Sequence, residues 1–395
     1  MSKPSGLGQF NELPQDEIYL DYAATTPVHP EVAALIYRIN LEEFGNPSSL
    51  HRRGMQASRL LENARQKIAG RLNCGTSEVF FTSGATESDN IAIFGVMRQY
   101  LPQDAHLITC SIEHHAVLDP AKELLREGYS VTFLPVDGSG TVDPEDLRKA
   151  LRPNTRLVSI MAVNNETGAI QPVEELTKIT AESSALFHTD GVQALALLDL
   201  DTKSLGADLI SLSSHKVYGP KGVGALYVSS GIKPHLSPLA YGGGQEKGLR
   251  PGTENLAGIA GFAEAVSLLG NKRFIEKQRL QDLRAAFIRG LSERIPDTVI
   301  NDGQEQLPSI CSVTFPMASA EMMLLRLDKL GIRVSMGSAC TSKTMVPSHV
   351  LKALGKTDAE AEATLRFSFG MQTVIDEIDR VLSVIQAVWA ESRIE

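Results

Sequence analysis

A regular alternation of short apolar segments with amphipathic ones, between residues 78 and 228, restricts the fold more than any other feature. Seven segments have the length and composition of buried strands: 78–84, 105–110, 130–136, 156–163, 185–190, 208–214 and 222–228. Parallel strands need crossover connections, which are usually helices. The pattern therefore predicts an α/β fold with a mostly parallel seven-stranded sheet, covered by helices on both faces. Only HKVYGPK joins the last two strands, so that pair should be antiparallel.

The pattern changes after about residue 255. Helical spacing of apolar residues there indicates two consecutive helices, and short strands and helices follow, with predicted strands at 309–316, 331–339 and 363–370. This is typical of a smaller α+β domain. We expect a large domain over 26–270, a small C-terminal domain over 271–395, and an N-terminal segment, 1–25, packed with the small domain.

Charge and cysteine content exclude several classes of protein. The 38 basic residues against 47 acidic ones give a net charge of −9, which argues against direct nucleic-acid binding. The four cysteines are too few and too irregularly spaced for a disulfide framework or a zinc site, so no metal is expected. The start of the chain lacks the features of a signal or transit peptide, and no apolar run approaches the ~20 residues that cross a bilayer. These features favour a cytoplasmic protein in a reducing compartment, without a membrane partner.

Several predicted strands end in residues that suit chemistry, and ligands of open α/β sheets bind beyond the carboxyl ends of strands. The first strand runs into a turn of small residues at 82–87, where a helix begins near Thr86. Ala85 and Thr86 could wrap a phosphate there, although an ordinary capped helix is the alternative. The second strand leads to His114 and His115, which could be a surface loop, metal ligands or an acid/base group. No third ligand with metal spacing lies nearby, which disfavours metal.

Three later strand ends add further candidates. Asn165 could donate to a ligand oxygen or form a turn. Asp190, with Gln193 three residues later, could cap a helix or pair with a protonated ring nitrogen of a cofactor. Lys216 follows the sixth strand within Ser-Ser-His-Lys at 213–216. Desolvation there would lower the pKa of the amine and favour the neutral nucleophile, whereas a plain loop lysine is the alternative. Together these groups are the set that pyridoxal 5′-phosphate requires.

One of the four cysteines has surroundings that suit reactivity. Cys340 lies among small residues in GSACTS, 337–342, where little apolar surface could bury it. Cys110 and Cys311 lie in apolar strands and are expected to be buried and structural. Cys74, beside a glycine at a helix end, has no evident role.

The motifs taken together resemble one family, the cysteine desulfurases of the NifS/IscS type, within the class V aminotransferases of fold type I. The resemblance runs from Tyr19 to Gly370, about nine tenths of the chain. Its motifs occur in the family's order at 19–27, 44–51, 82–90, 113–118, 163–168, 188–194, 213–222, 250–255, 337–342 and 365–370.

The resemblance implies pyridoxal phosphate as the cofactor and assigns it a set of residues. These are Ala85, Thr86, His114, Asn165, Asp190, Gln193, Ser213, His215, Lys216 and, from a second subunit of a homodimer, Thr253. Lys216 would form the Schiff base, Asp190 would pair with the ring nitrogen, and His114 would stack on the ring and assist proton transfer. Asn165 and Gln193 would contact the phenolic oxygen, and the remaining residues would hold the phosphate.

The resemblance also implies the reaction. Arg366, with Asn165 near it, would bind the carboxylate of L-cysteine, and Cys340 would accept the sulfur as a persulfide while the substrate leaves as L-alanine. A sulfur-acceptor or scaffold protein would then receive the sulfur, for iron–sulfur cluster assembly or other sulfur-containing biomolecules. The alternatives are a selenocysteine or cystine lyase that does not need Cys340, a class V aminotransferase, and a catalytically silent sulfur-transfer platform.

Overall fold

The seven predicted strands form one sheet. The computed structural model describes residues 17–232, 236–337 and 347–393. Strands in these ranges are β1 (Ile18–Tyr19), β2 (Val79–Thr82), β3 (His106–Cys110), β4 (Ser130–Leu134), β5 (Thr155–Ser159), β6 (Leu186–Asp190), β7 (Leu209–Ser213), β8 (Gly224–Val228), β9 (Val299–Ile300), β10 (Ile310–Thr314), β11 (Ile332–Arg333) and β12 (Thr364–Ser368). The large sheet has the order β2-β8-β7-β6-β5-β3-β4.

The directions of the strands confirm the predicted topology. Strands β3 and β4, β3 and β5, β5 and β6, and β6 and β7 all pair in parallel. Strand β8 is antiparallel to β7, as the short connection between them requires, and also antiparallel to β2. The carboxyl ends of β3, β5, β6 and β7 therefore meet at one edge of the sheet.

Helices cover both faces of this sheet. The described residues form the helices α1 (Pro30–Glu42), α2 (Arg52–Leu72), α3 (Ala85–Met97), α4 (His115–Arg126), α5 (Pro144–Ala150), α6 (Val173–Thr180), α7 (Thr202–Leu205) and α8 (Leu256–Leu269), and then, in the C-terminal part with the smaller sheets, α9 (Arg273–Arg294), α10 (Ala320–Lys329), α11 (His349–Ala353), α12 (Asp358–Glu362) and α13 (Ile375–Glu391). Neighbouring residues of β2 enter different cores: Phe80 packs with α3 and α4, and Phe81 with α2 and α8. Strand side chains alternate between faces, so a sheet buried on both sides divides its apolar residues in this way.

Two smaller sheets lie beyond the large one. Strands β12, β10 and β9 form an antiparallel sheet, and β1 pairs in parallel with β11. The pairing of β1 ties the start of the described chain to its C-terminal part. The strand predicted over 331–339 is shorter than expected and covers only Ile332–Arg333. The predicted domain boundary near residue 270 falls between α8 and α9.

Candidate active site

A cavity of about 500 Å³ lies at the carboxyl edge of the large sheet, where the sequence predicts a site. The predicted residues that line it are Ala85, Thr86, His114, Asn165, Asp190, Gln193, Ser213, His215, Lys216 and Arg366. Thr253, which was expected to act on a second subunit, is exposed and does not line the cavity. Cys340 lies outside the described residues. Residues from separate strand ends and from β12 thus meet around one space.

Lys216 reaches the cavity from the single 3₁₀ turn that follows β7. Its Nζ donates to the carbonyl oxygens of Ala23 and Ala24, at 2.5 and 2.8 Å. Gln193 Nε2 also donates to Ala23 O, at 3.0 Å. The N-terminal segment therefore forms one wall of the cavity and fixes the position of the amine. Neither alanine was predicted as a site residue, because an apolar side chain gives no sign that its backbone carbonyl faces a ligand.

Asp190 ends β6 and is only 8% exposed. One of its carboxylate oxygens accepts the Val192 N–H at 2.9 Å. Burial raises the pKa of Asp190 to about 6, while that hydrogen bond and the charge of Lys216 oppose the rise. A cation placed opposite the carboxylate, such as a protonated ring nitrogen, would stabilise its ionised form.

His114 is the N-cap residue of α4, and its Nδ1 accepts the Ala116 N–H at 3.1 Å. Burial lowers the pKa of this imidazole to about 4, and the nearby charges of Lys216, His115 and His349 act in the same direction. The ring is therefore neutral near pH 7. Because Nδ1 accepts, Nε2 carries the proton and can donate it in the cavity.

The opposite end of the cavity suits an anion. The N-terminus of α3 opens there with Gly84 as N-cap residue, and no side chain in the described part of the chain caps its first N–H groups. Thr86 and the buried Ser213 add hydroxyls, and His215, held by Thr25 Oγ1 at 3.1 Å, adds an imidazole. The lining also includes Lys221, which was not predicted. Uncapped N–H groups, the helix dipole and a nearby cation together favour a phosphate.

Arg366 enters the cavity from β12, with a side chain only 3% exposed. Its Nη2 pairs with Asp21 Oδ1 at 2.8 Å, and its Nη1 donates to the carbonyl oxygen of Asn165 at 2.8 Å. The Nε atom is buried and has no hydrogen-bond partner among the described residues. The guanidinium therefore keeps donor capacity for a carboxylate, which it could bind in a bidentate manner. Asp21, which holds the arginine, was not predicted.

Buried titratable groups lie behind the cavity, and these were not predicted either. Glu113 accepts the Met161 N–H at 2.7 Å and the Cys110 thiol at 3.0 Å, and burial raises the pKa of Glu113 to about 8. Asp89 lies 3.5 Å from His188 Nε2, and burial raises the pKa of Asp89 well above its usual range. Asp89 lies within α3, away from any strand end, whereas Glu113 follows β3 and directly precedes His114, and its burial cannot be read from the sequence.

The three described cysteines are free thiols with unreactive surroundings. Cys110 and Cys311 are fully buried, as expected, and burial raises both pKa values, that of Cys311 to about 12. Burial likewise raises the pKa of Cys74 to about 12. Thiolates are the nucleophilic form, so none of these three is suited to attack a substrate.

The cavity has the donor set that pyridoxal phosphate requires. Asp190 suits the ring nitrogen, and the neutral imidazole of His114 suits the face of the ring. The amine of Lys216 suits the aldehyde, and the N-terminus of α3 suits the phosphate. The space is open at both glycines of the lining, since a Cβ added at Gly84 or Gly222 would meet no atom within 4 Å.

The described residues contain no group of three or more His, Cys, Asp or Glu that could hold a metal ion, and no helix among them is long and apolar enough to span a bilayer.

Fold and cavity together define a class V aminotransferase, and the family model "Aminotransferase class-V" matches residues 18–381. The chain is 45% identical over 373 residues to "Cysteine desulfurase IscS" of Dictyoglomus turgidum, covering 94% of each chain. It is 44% identical to "Cysteine desulfurase, mitochondrial" of Candida albicans, covering 93% of this chain and 76% of that one. The chain belongs to the cysteine desulfurases of the class V aminotransferase family.

Solved structures agree with this assignment. A "NIFS-LIKE PROTEIN" superposes with a TM-score of 0.89 at 36% identity, covering 95% of this chain and 100% of that one. The structure titled "SspA in complex with cysteine" gives a TM-score of 0.79 at 38% identity, covering 90% and 99%. The predicted fold class, that of fold type I pyridoxal phosphate enzymes, is confirmed by these neighbours.

Proposed function

We propose that the protein uses pyridoxal phosphate to convert L-cysteine to L-alanine, with Cys340 taking the sulfur as a persulfide. The observation that carries this proposal is the meeting of Lys216, Asp190 and His114 in one cavity with Arg366. The names of the relatives and the cysteine bound to a structural neighbour support the choice of substrate.

Each residue has a distinct task in this proposal. Pyridoxal phosphate, when bound, supplies an aldehyde for the substrate amine and an electron-poor ring that takes up the electrons of the Cα–H bond. Asp190 holds a proton at the ring nitrogen. Lys216, once displaced by the substrate amine, removes the Cα proton as a general base. His114, neutral and protonated at Nε2, would lie against the ring and assist proton transfer, and Arg366 and Asn165 would orient the substrate carboxylate.

The other predicted contacts hold the cofactor in place. Gln193 and Asn165 serve the phenolic oxygen. The phosphate is held by Ala85, Thr86, Ser213 and His215, and by Thr253 from a second copy of the chain. Thr253 is exposed in the single chain, which leaves it accessible to such a partner. The proposal therefore includes a homodimer.

The sulfur step belongs to Cys340. Its thiolate attacks the substrate sulfur, so that an S–S bond forms and the substrate C–S bond breaks. The electron pair of that bond stays with the substrate carbon, which takes up a proton and leaves as alanine. The persulfide then passes to an acceptor protein, for iron–sulfur cluster assembly or another sulfur pathway. A cytoplasmic location is part of the proposal and rests on the sequence alone.

The test measures alanine and sulfide together, after incubating the purified protein with L-cysteine and a reductant. We expect equal yields from the wild type and neither product from Cys340→Ser, which should keep its bound cofactor and its colour. Undiminished alanine formation by Cys340→Ser would indicate a lyase. Pyruvate-dependent amino exchange without sulfide would indicate an aminotransferase. A colourless protein without activity would indicate a catalytically silent sulfur-transfer platform.

A further inference from the structure

The buried side chain of Glu166 contacts the chain on both sides of residues 338–346. Ser348 Oγ, after this segment, donates to Glu166 Oε2 at 2.5 Å. Before the segment, Gly337 packs on the same oxygen, since a Cβ added there would lie 2.7 Å from it. Gly337 also has φ +104°, a conformation that favours glycine. One carboxylate oxygen thus joins the two flanks of the segment.

Glu166 is an unusual residue to find at this place. It is only 2% exposed, and among the described residues no lysine, arginine or histidine forms an ion pair with it. Burying a carboxylate without a cation is costly unless hydrogen bonds compensate. The hydroxyl of Ser348 is one such bond. A residue used only for packing would be apolar, so the carboxylate indicates a specific contact.

Both flanks are also tied to segments that line the cavity. Ser335 exchanges backbone hydrogen bonds with Arg366, at 2.7 and 3.2 Å. His349 Nε2 donates to the carbonyl oxygen of Glu113, the residue before His114, at 2.9 Å. Glu166 itself follows Asn165, whose carbonyl oxygen accepts a hydrogen bond from Arg366. The flanks of residues 338–346 are therefore anchored at the wall of the cavity.

We propose that Glu166 is a positioning residue that fixes the two ends of the segment carrying Cys340 beside the substrate site. Cys340 is three residues from Gly337, and three residues span at most about 11 Å. Holding Gly337 and Ser348 therefore fixes the two described residues from which this segment of the chain departs. This inference rests on the proposed function, and it assigns Glu166 to sulfur transfer rather than to the Cα proton step.

The test compares two steps in the purified holoenzyme. Exchange of the Cα proton of L-alanine for deuterium, followed by NMR, does not use Cys340. Persulfide formation on Cys340 in a single turnover, followed by mass spectrometry, does. In Glu166→Ala and Ser348→Ala we expect persulfide formation to slow about 10- to 100-fold, as misplaced reacting groups do. Proton exchange and cofactor absorbance should stay within about twofold of wild type, and Ser348→Thr, which keeps the hydroxyl, should retain both rates.

Other results would overturn the inference. If both alanine variants form persulfide at the wild-type rate, Glu166 does not position the segment. If proton exchange and cofactor binding fall in parallel with persulfide formation, the role is merely structural. Should Glu166→Ala fail to fold, Ser348→Ala alone decides.

Failure of the proposed function is distinguishable from failure of the inference. If the wild type forms no persulfide from L-cysteine, the proposed function is wrong. The positioning role of Glu166 can still be tested, because labelling of Cys340 by iodoacetamide does not depend on that reaction. A severalfold change in the labelling rate of Glu166→Ala relative to wild type supports it, and equal rates contradict it.

Discussion

Two cavities of nearly equal volume, about 500 and 510 Å³, each contain a buried arginine, yet only one has the features of an active site. The first is the cavity at the carboxyl edge of the sheet, with Arg366. The second, lined by Arg65, Glu62, Val79 and Glu246 among others, lies between α2 and the start of β2. Volume therefore does not distinguish them, whereas the bonding of the two arginines does.

All three guanidinium nitrogens of Arg65 are used within the chain. Two of them form a bidentate pair with Glu246 at 2.8 Å, one of these two also donates to the Val79 carbonyl oxygen at 2.7 Å, and Nε reaches Glu62 at 3.2 Å. Glu246 accepts the Phe81 N–H as well. Arg366 makes one ion pair and one carbonyl contact, and its Nε lacks a partner among the described residues. A saturated arginine stabilises the fold, and an unsaturated one is available to a ligand.

The largest expected effect is on stability, at the second cavity. Arg65→Met leaves the carboxylate of Glu246 buried without its cation, which should lower the free energy of unfolding by about 3–5 kcal/mol. Urea denaturation measures this loss. The double variant Arg65→Met/Glu246→Leu should recover much of it, since replacing both partners removes the uncompensated charge. A folded Arg65→Met protein that has lost desulfurase activity would contradict the comparison, because it would give the second cavity a part in the reaction.

A smaller effect, and of a different kind, is expected at the first cavity. Arg366→Lys keeps the charge beside Asp21 but loses the planar fork that binds a carboxylate bidentately. We expect kcat/KM for L-cysteine to fall about 100-fold, mainly through KM, which corresponds to about 2.7 kcal/mol. The free energy of unfolding should fall by less than in Arg65→Met. An unchanged KM in steady-state assays would show that Arg366 resembles Arg65 and serves the fold.

Sequence alone predicted the cavity residues that follow strand ends, but not the remote segments that enclose the cavity. Strand ends of a parallel sheet meet at one edge, so Asp190 and Lys216 could be placed together without knowing any contact. Ala23 and Ala24 contact Lys216 from a segment that is remote from it in sequence. The order of the strands does not predict that such a segment reaches the cavity. The helices over Pro30–Glu42 and Arg52–Leu72 were not predicted, although they cover one face of the sheet.

The short strand at the edge of the site shows a second limit. Apolar residues over 331–339 predict a strand, but only Ile332–Arg333 pairs as one. The chain then turns at Gly337, whose φ of +104° is incompatible with a strand. The carboxylate of Glu166 also lies so close to Gly337 that no side chain would fit there. Periodicity cannot report such a contact, since it reads each segment without its neighbours.

The smallest expected effect concerns Glu113, a buried carboxyl group behind the first cavity. Among the described residues it has no ion pair, whereas Glu246 pairs with Arg65. Glu113 receives its hydrogen bonds from a backbone N–H and a thiol, and burial raises the pKa of Glu113 to about 8. The folded protein therefore keeps a proton that the unfolded chain, with an ordinary glutamate pKa near 4.5, has released. Stability contributed by this group is complete below pH 4.5 and is lost as the pH rises towards 8.

Glu113→Gln, which is neutral at every pH, isolates that contribution, because all other titrating groups are common to both proteins. Relative to the variant, the wild type should lose about 1 kcal/mol of unfolding free energy between pH 5 and pH 8. Urea denaturation of both proteins at pH 5, 6.5 and 8 gives the difference directly. Parallel curves would mean that Glu113 is already ionised at pH 5, and that its surroundings stabilise the charge as the ion pair with Arg65 does for Glu246.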